Sequence, residues 1–155
     1  MHEIFEHTAD LGLRVTAPTL DRLMADAAAG LFQIIAGDLG QIRPRPEHAR
    51  LFHVAGTDPT WLLFDWISEL HAAFEIGRML FCRFDVTIDS TGLHATAHGE
   101  PYDPSRHLLA HEIKAITQHE LAVVQTADGW EATLDRKSTR LNSSHEWISR
   151  MPSSA

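Results

Sequence analysis

The sequence predicts a single α+β domain in which two main amphipathic helices pack on a mainly antiparallel or mixed β-sheet. Two segments repeat apolar residues at the helical period, while the stretches between and after them alternate at period two. Their order is strand, helix, strand, helix and then a strand-rich second half. A chain of 155 residues with 44% hydrophobic content can bury one core and is too short for two ordinary domains.

The first strand starts inside "EHTADLGLR", where Leu11, Leu13 and Val15 alternate with Gly12, Arg14 and Thr16. His7, Thr8 and Asp10 crowd the mouth of this apolar element. In the first helix Leu20, Leu23, Met24, Ala27, Ala28, Leu31, Ile34 and Ile35 share one face, with Thr19 placed to cap, Asp21 in the first turn and Gly37 at the end. "RLFHVAG" is a short strand. The second helix opens at "TDPTW", with Asp58 as cap and Pro59 at the first helical position. Leu62, Leu63, Trp66, Ile67, Leu70, Ala73 and Phe74 form its buried stripe before Gly77. Asp65, Glu69 and Glu75 lie off that stripe, on a solvated face or a partner-binding one.

"MLFCRFDVTID" alternates Leu80, Cys82, Phe84, Val86 and Ile88 with more polar residues, turns at "DSTG" and returns through "LHATAHG" as a hairpin. His94 and His98 fall on one side of the return strand as exposed polar positions. "DPSRHLLA" reads as a short helical turn with Asp103 as its cap. "EIKAITQHELAVVQT" and "WEATLD" flank "ADG", where Asp128-Gly129 is the strongest hairpin signal in the chain. The last nineteen residues, "KSTRLNSSHEWISRMPSSA", lack periodicity and resemble translated adaptor or vector sequence. The expected organisation is a domain over 1–136 and a non-native, disordered tail over 137–155.

Charge narrows the function classes. The net charge is −8, and the tail contributes +2 through Lys137, Arg140 and Arg150 against Glu146, which leaves −10 for residues 1–136. Such a balance opposes direct nucleic-acid binding, which needs cations to displace counterions, and suits a partner protein with a basic site. The single cysteine, Cys82, excludes an internal disulfide and suits a reducing compartment. Core filling is its simplest role, a reactive thiol the alternative. With no apolar run long enough to span a membrane and no signal peptide, the expected location is cytoplasmic.

Eleven histidines invite zinc, yet no H-E-x-x-H and no cysteine pair occurs, and the nearest set, His107, His111 and His119, mixes loop and strand. Nucleophile-elbow and phosphate-loop motifs are absent too. Oxygen donors at element ends remain: Asp10, Glu100, Asp103 and Asp135. Carboxylates suit hard cations such as Ca²⁺ and Mg²⁺. Pairing Asp10 with Asp135 requires the first and last strands to be neighbours; otherwise both are ordinary solvated aspartates.

Five blocks in order, "HTADLGLRV", "LLFDWISEL" with "GRMLFCRF", "GEPYDPSRH", "IKAITQHEL" and "GWEATLD", resemble the archease family over essentially residues 1–135. The resemblance implies an α+β fold and a non-catalytic activator of the RtcB-type RNA-splicing ligase, promoting metal- and GTP-dependent guanylylation of the ligase and multiple turnover. It also implies a divalent metal ion, Ca²⁺ in the family with Mg²⁺ or Mn²⁺ possible, held by Asp10, Asp135 and the backbone carbonyl of Arg136. Arg136 departs from the family pattern, which has an aliphatic residue there, and sets a positive charge beside the expected cation. Lys114 and His119 match the family's basic strand block and contact the ligase or its nucleotide, or serve structure alone. Glu100, Asp103 and His107 match a further block without an assigned role. Competing classes are a metal-dependent hydrolase, an RNA-binding module, and a chaperone-like adaptor for other RNA-processing enzymes such as tRNA methyltransferases.

Overall fold

Period-two alternation in the sequence resolves into two antiparallel sheets. The computed structural model describes residues 2–6, 10–116 and 121–140, with side chains described over 13–110 and 121–134. One sheet holds β1 (His2–Glu6), β2 (Asp10–Ala17), β6 (His111–Ile116), β7 (Ala122–Thr126) and β8 (Gly129–Arg140). Its order is β1-β2-β8-β6, with β7 also paired to β8. The other holds β3 (Arg50–Ala55), β4 (Met79–Asp89) and β5 (Gly92–Pro101), in the order β3-β5-β4. The fold class is the expected α+β, and every pairing among the described residues is antiparallel.

The division in two departs from the expected single sheet. Alternation says which residues face a core, not which strand is the neighbour. β8 is the organising strand: one edge runs along β2, and the other is shared by β7 over 129–133 and β6 over 136–140. The strand therefore continues past the expected boundary at 136, through 137–140; residues 141–155 lie outside the described residues.

The helices begin where their caps put them. α1 (Leu20–Ala36) starts with the Thr19 hydroxyl accepting from Arg22 N–H at 3.2 Å and ends at Gly37, whose φ of 83° terminates it. α2 (Pro59–Gly77) starts with Asp58 accepting from Thr60 N–H at 3.1 Å. Its end differs from the expectation, because Gly77 is still helical and Arg78 takes the left-handed turn at φ 54°. The Arg78 guanidinium lies 4.9 Å from the Phe74 ring centroid and 5.7 Å from that of Tyr102, contacts that help hold it there.

Both helices touch both sheets, so the core lies where four layers' apolar faces converge. Trp66 is fully buried and its Nε1–H donates to Met24 O at 3.0 Å, tying α2 to α1. Phe52 and Phe84 meet its ring edge-to-face, and Phe32 and Phe81 extend the cluster through edge-to-face and stacked pairs with them. Alternation in β4 holds from Phe84 onward but breaks at a bulge between Phe81 and Arg83, which buries Leu80 and Phe81 together. Cys82 sits at that bulge, half-buried and packed against the core, and burial pushes its thiol pKa up. That is the core-filling role. No helix among the described residues is long and apolar enough to cross a membrane.

Candidate functional site

The register of β2 on β8 decides whether the two aspartates can act together. Gly12 lies opposite Asp135, Leu11 opposite Arg136 and Asp10 opposite Lys137. Asp10 and Asp135 thus occupy neighbouring strands, two register positions apart. Strand alternation places both on the face opposite the buried Leu13, Val15, Ala132 and Leu134. Diagonal neighbours of this kind have Cα atoms about 7–8 Å apart, a span that two carboxylates can bridge with a cation between them. The donor set fits a hard divalent ion in its two carboxylates. Arg136 is flanked on both sides, by Leu11 of β2 and Ile116 of β6, so its carbonyl sits inside the sheet rather than at an edge. Lys137 shares the face with Asp10 and Asp135.

Lys114 falls at the irregularity between Ile113 and Ala115 where β6 pairs β8, one strand away from the aspartates and at the same end of the sheet. His119 lies outside the described residues, as do His7 and Thr8 of the N-terminal block.

A second cluster, which the sequence marked without explaining, surrounds Glu100. The residue is 1% exposed, and its carboxylate takes three hydrogen bonds and an ion pair. Oε1 takes Arg106 Nη2 at 2.6 Å and Arg45 Nε at 3.1 Å; Oε2 takes Arg43 N–H at 2.9 Å and His107 Nε2 at 2.8 Å. Asp103 N–H donates to His107 Nδ1 at 2.8 Å, so the neutral ring carries its proton on Nε2 and donates it to Glu100. Burial alone would raise the Glu100 pKa. The hydrogen bonds from Arg106, Arg43 and His107, with the Arg106 charge, outweigh it and hold the group at about 2.

This cluster pins the path into β6. Asp103 accepts from Ser105 N–H at 3.0 Å and from its hydroxyl at 2.7 Å, and its carbonyl accepts from His107 N–H at 2.8 Å, the short helical turn capped by Asp103 that the sequence predicts. Gln41 then bonds Leu108 through both O and N–H, and Ala110 N–H reaches Ile35 O at 2.7 Å. By alternation Glu100 belongs to the outer face of β5 with His94 and His98; the chain at 43–45 and 103–107 folds over it. Burial by a remote loop leaves no periodic signal, and the acid at the end of "ATAHGEP" was the only hint.

His94 keeps an exposed side chain, as expected, while His98 does not. His98 Nε2 lies 2.9 Å from Asp85 across the hairpin, and its side chain is 16% exposed. His94 pairs with Asp89 at 3.2 Å and stacks on His53 at 4.5 Å between centroids. Each acid is a diagonal neighbour, Asp85 lying opposite Thr96 and Asp89 opposite Gly92, which is within reach of an imidazole. Among the described residues no three His, Cys, Asp or Glu groups converge as a metal site. His107, one of the zinc candidates, is consumed by Glu100.

Comparison with known proteins follows the same boundaries. The model of the Archease protein family (MTH1598/TM1083) matches residues 2–134. The chain is 39% identical over 134 residues to Protein archease of Methanopyrus kandleri, covering 84% of this chain and 94% of that one. It is 34% identical over 137 residues to Protein archease of Pyrococcus abyssi, covering 85% and 94%. The solution structure of Methanobacterium thermoautotrophicum Protein 1598 superposes with a TM-score of 0.73 at 26% identity, over 88% of this chain and 97% of that one. A crystal structure of an archease, possible chaperone, from Thermotoga maritima shares the fold at a TM-score of 0.52 and 17% identity, over 89% and 96%.

Proposed function

The chain belongs to the archease family, and from that premise we propose that it is a non-catalytic protein cofactor that activates an RtcB-type RNA-splicing ligase. Activation here means promoting metal- and GTP-dependent guanylylation of the ligase and its return for further turnovers. The observation that carries the reading is the β2–β8 register, which sets Asp10 and Asp135 on one face at one end of a five-stranded sheet.

Asp10 and Asp135 would hold a divalent ion, Ca²⁺ or in its place Mg²⁺ or Mn²⁺; the Arg136 carbonyl, which the family resemblance adds, lies between β2 and β6 and would reach the ion only by giving up or sharing its place in the ladder. Such an ion supplies charge neutralisation for phosphate oxygens. The chain's own residues present and orient: β8, paired along both edges, holds Asp135 against β2, and Lys114 stands one strand away where a partner's surface would meet the sheet end. The anionic balance of residues 1–136 steers this tip toward a cationic site on the ligase. The working compartment in this reading is the cytoplasm.

The test is multiple-turnover RNA ligation by the cognate ligase with GTP and Mg²⁺ or Mn²⁺, adding this protein at a fraction of the ligase concentration. Turnover rises if the reading holds, and the protein alone ligates nothing. An indifferent ligase overturns it, and co-purification with another RNA-processing enzyme, such as a tRNA methyltransferase, would then favour the adaptor role.

A further inference from the structure

Six of the chain's thirteen Lys and Arg residues meet at one end of the molecule: Arg43, Arg45, Arg50, Arg78, Arg83 and Arg106. All border the C-terminal half of β5. Arg50 lies opposite Ala97 and Arg83 opposite His98, Arg45 N–H donates to Gly99 O at 3.1 Å, and Tyr102 N–H donates to Arg78 O at 2.7 Å. The segments that carry them, 43–50, 78–83 and 98–107, hold three acids, Glu47, Glu100 and Asp103. A chain with a net charge of −8 therefore has a cationic end.

An open cleft of about 310 Å³ lies there, lined by Arg45, His48, Glu100, Tyr102, Asp103 and Arg106 among others. The geometry points to a phosphate-binding site: we infer that Arg45 and Arg106, fixed by Glu100, take a terminal phosphate group in this cleft. Glu100 already holds three hydrogen bonds and the Arg45 ion pair, so it acts as a post between the guanidinium groups. Arg106 donates an Nη2–H to it and Arg45 faces it as an ion pair through Nε, which leaves each planar group further donors. Their side chains remain 31% and 43% exposed toward solvent. Within the cleft the two guanidinium groups face two carboxylates, Glu100 and Asp103, so the excess positive charge comes from the other arginines at this end, and the forked donors match the oxygens of a phosphate dianion. Arg106 also leans on Asp103 at 3.7 Å, and that carboxylate is occupied by Ser105. The inference stands on the Glu100 cluster and does not rest on the ligase reading.

The test titrates the full chain, at constant ionic strength, with inorganic phosphate, a nucleoside triphosphate, and an RNA oligonucleotide with and without a 5′-phosphate, read by amide NMR shifts and calorimetry. Saturable shifts at residues 45, 48 and 102–106 are expected, and Arg45→Gln weakens binding by about tenfold or more. Arg45→Lys keeps part of the affinity, and Arg22→Gln, on α1, leaves it unchanged. Competition by phosphate and triphosphate alone identifies a small anion as the source; preference for the 5′-phosphorylated over the unphosphorylated RNA identifies an RNA end. Shifts that never saturate, that map elsewhere, or that Arg22→Gln weakens equally overturn the proposal. Should Arg45→Gln lower the thermal midpoint substantially, the wild-type shift map and Arg45→Lys decide the matter.

Discussion

Glu100 shows how one residue can set the chain path of a whole segment. It is buried, ionised and shared by Arg106, Arg45, Arg43 N–H and His107, so removing its charge strands donors from two separate segments. Glu100→Gln should cost about 3 kcal/mol in urea unfolding, the scale of a broken buried ion pair. Its pKa is held at about 2, below its ordinary 4.5. A carboxylate depressed on folding contributes stability that is present above 4.5 and lost as the pH falls toward 2. Acid unfolding of the wild type should therefore steepen below pH 4.5, and Glu100→Gln should flatten that limb. An identical acid limb in both proteins would assign the acid sensitivity to other carboxylates. On β8, Lys137 is the register partner of Asp10. Lys137→Ala should tighten Ca²⁺ binding by roughly two- to fivefold, the effect of about 0.5–1 kcal/mol from removing a like charge. Calorimetric titration reads it directly, and unchanged or weaker binding would place the cation elsewhere.

Among the elements, β5 is the one whose backbone leaves least room. A Cβ at Gly99 would collide with the backbone of Leu80 and Phe81 on β4, just where the bulge begins. Gly99→Ala should accordingly destabilise the fold far more than the ~1 kcal/mol typical of a surface substitution, and prise β4 from β5. Hydrogen exchange of the β4 amides would show it as lost protection confined first to that strand. Thr19→Ala is the milder counterpart: losing the cap of α1 should cost about 1 kcal/mol in thermal unfolding. Both helix starts were legible because a cap is a local device, written in two or three adjacent residues. The α2 end was not, since Arg78 takes the left-handed position with support from Tyr102, a ring brought in by the end of the β4–β5 hairpin, as well as from Phe74 one turn back. The β4 alternation failed at Cys82 for a related reason: a bulge shifts the phase without changing the composition.

At the scale of the whole molecule, strand order was the least legible property. Alternation marked the strands, but the split into two sheets and the sharing of one β8 edge between β6 and β7 depend on contacts between remote segments. The candidate site divides the same way. Asp10 and Asp135 stood out by type and by resemblance, and the β2–β8 pairing is the condition that the sequence left open. The cationic end was invisible to a charge count, because a net −8 averages an acidic body with six arginines that only the fold assembles. The two sites bear separate roles in this account: carboxylates for a cation at the β2–β8 seam, guanidinium groups for phosphate at the end of β5.

The most direct test of the central claim is ligation turnover by the cognate RtcB-type ligase in large RNA excess, comparing the wild-type chain with Asp10→Ala and Asp135→Ala at equal sub-stoichiometric dose. The account predicts a rise in turnover with the wild type and its loss in both variants, with circular dichroism and thermal midpoints close to wild type because neither position belongs to the buried face. Full activation by both folded variants would contradict it.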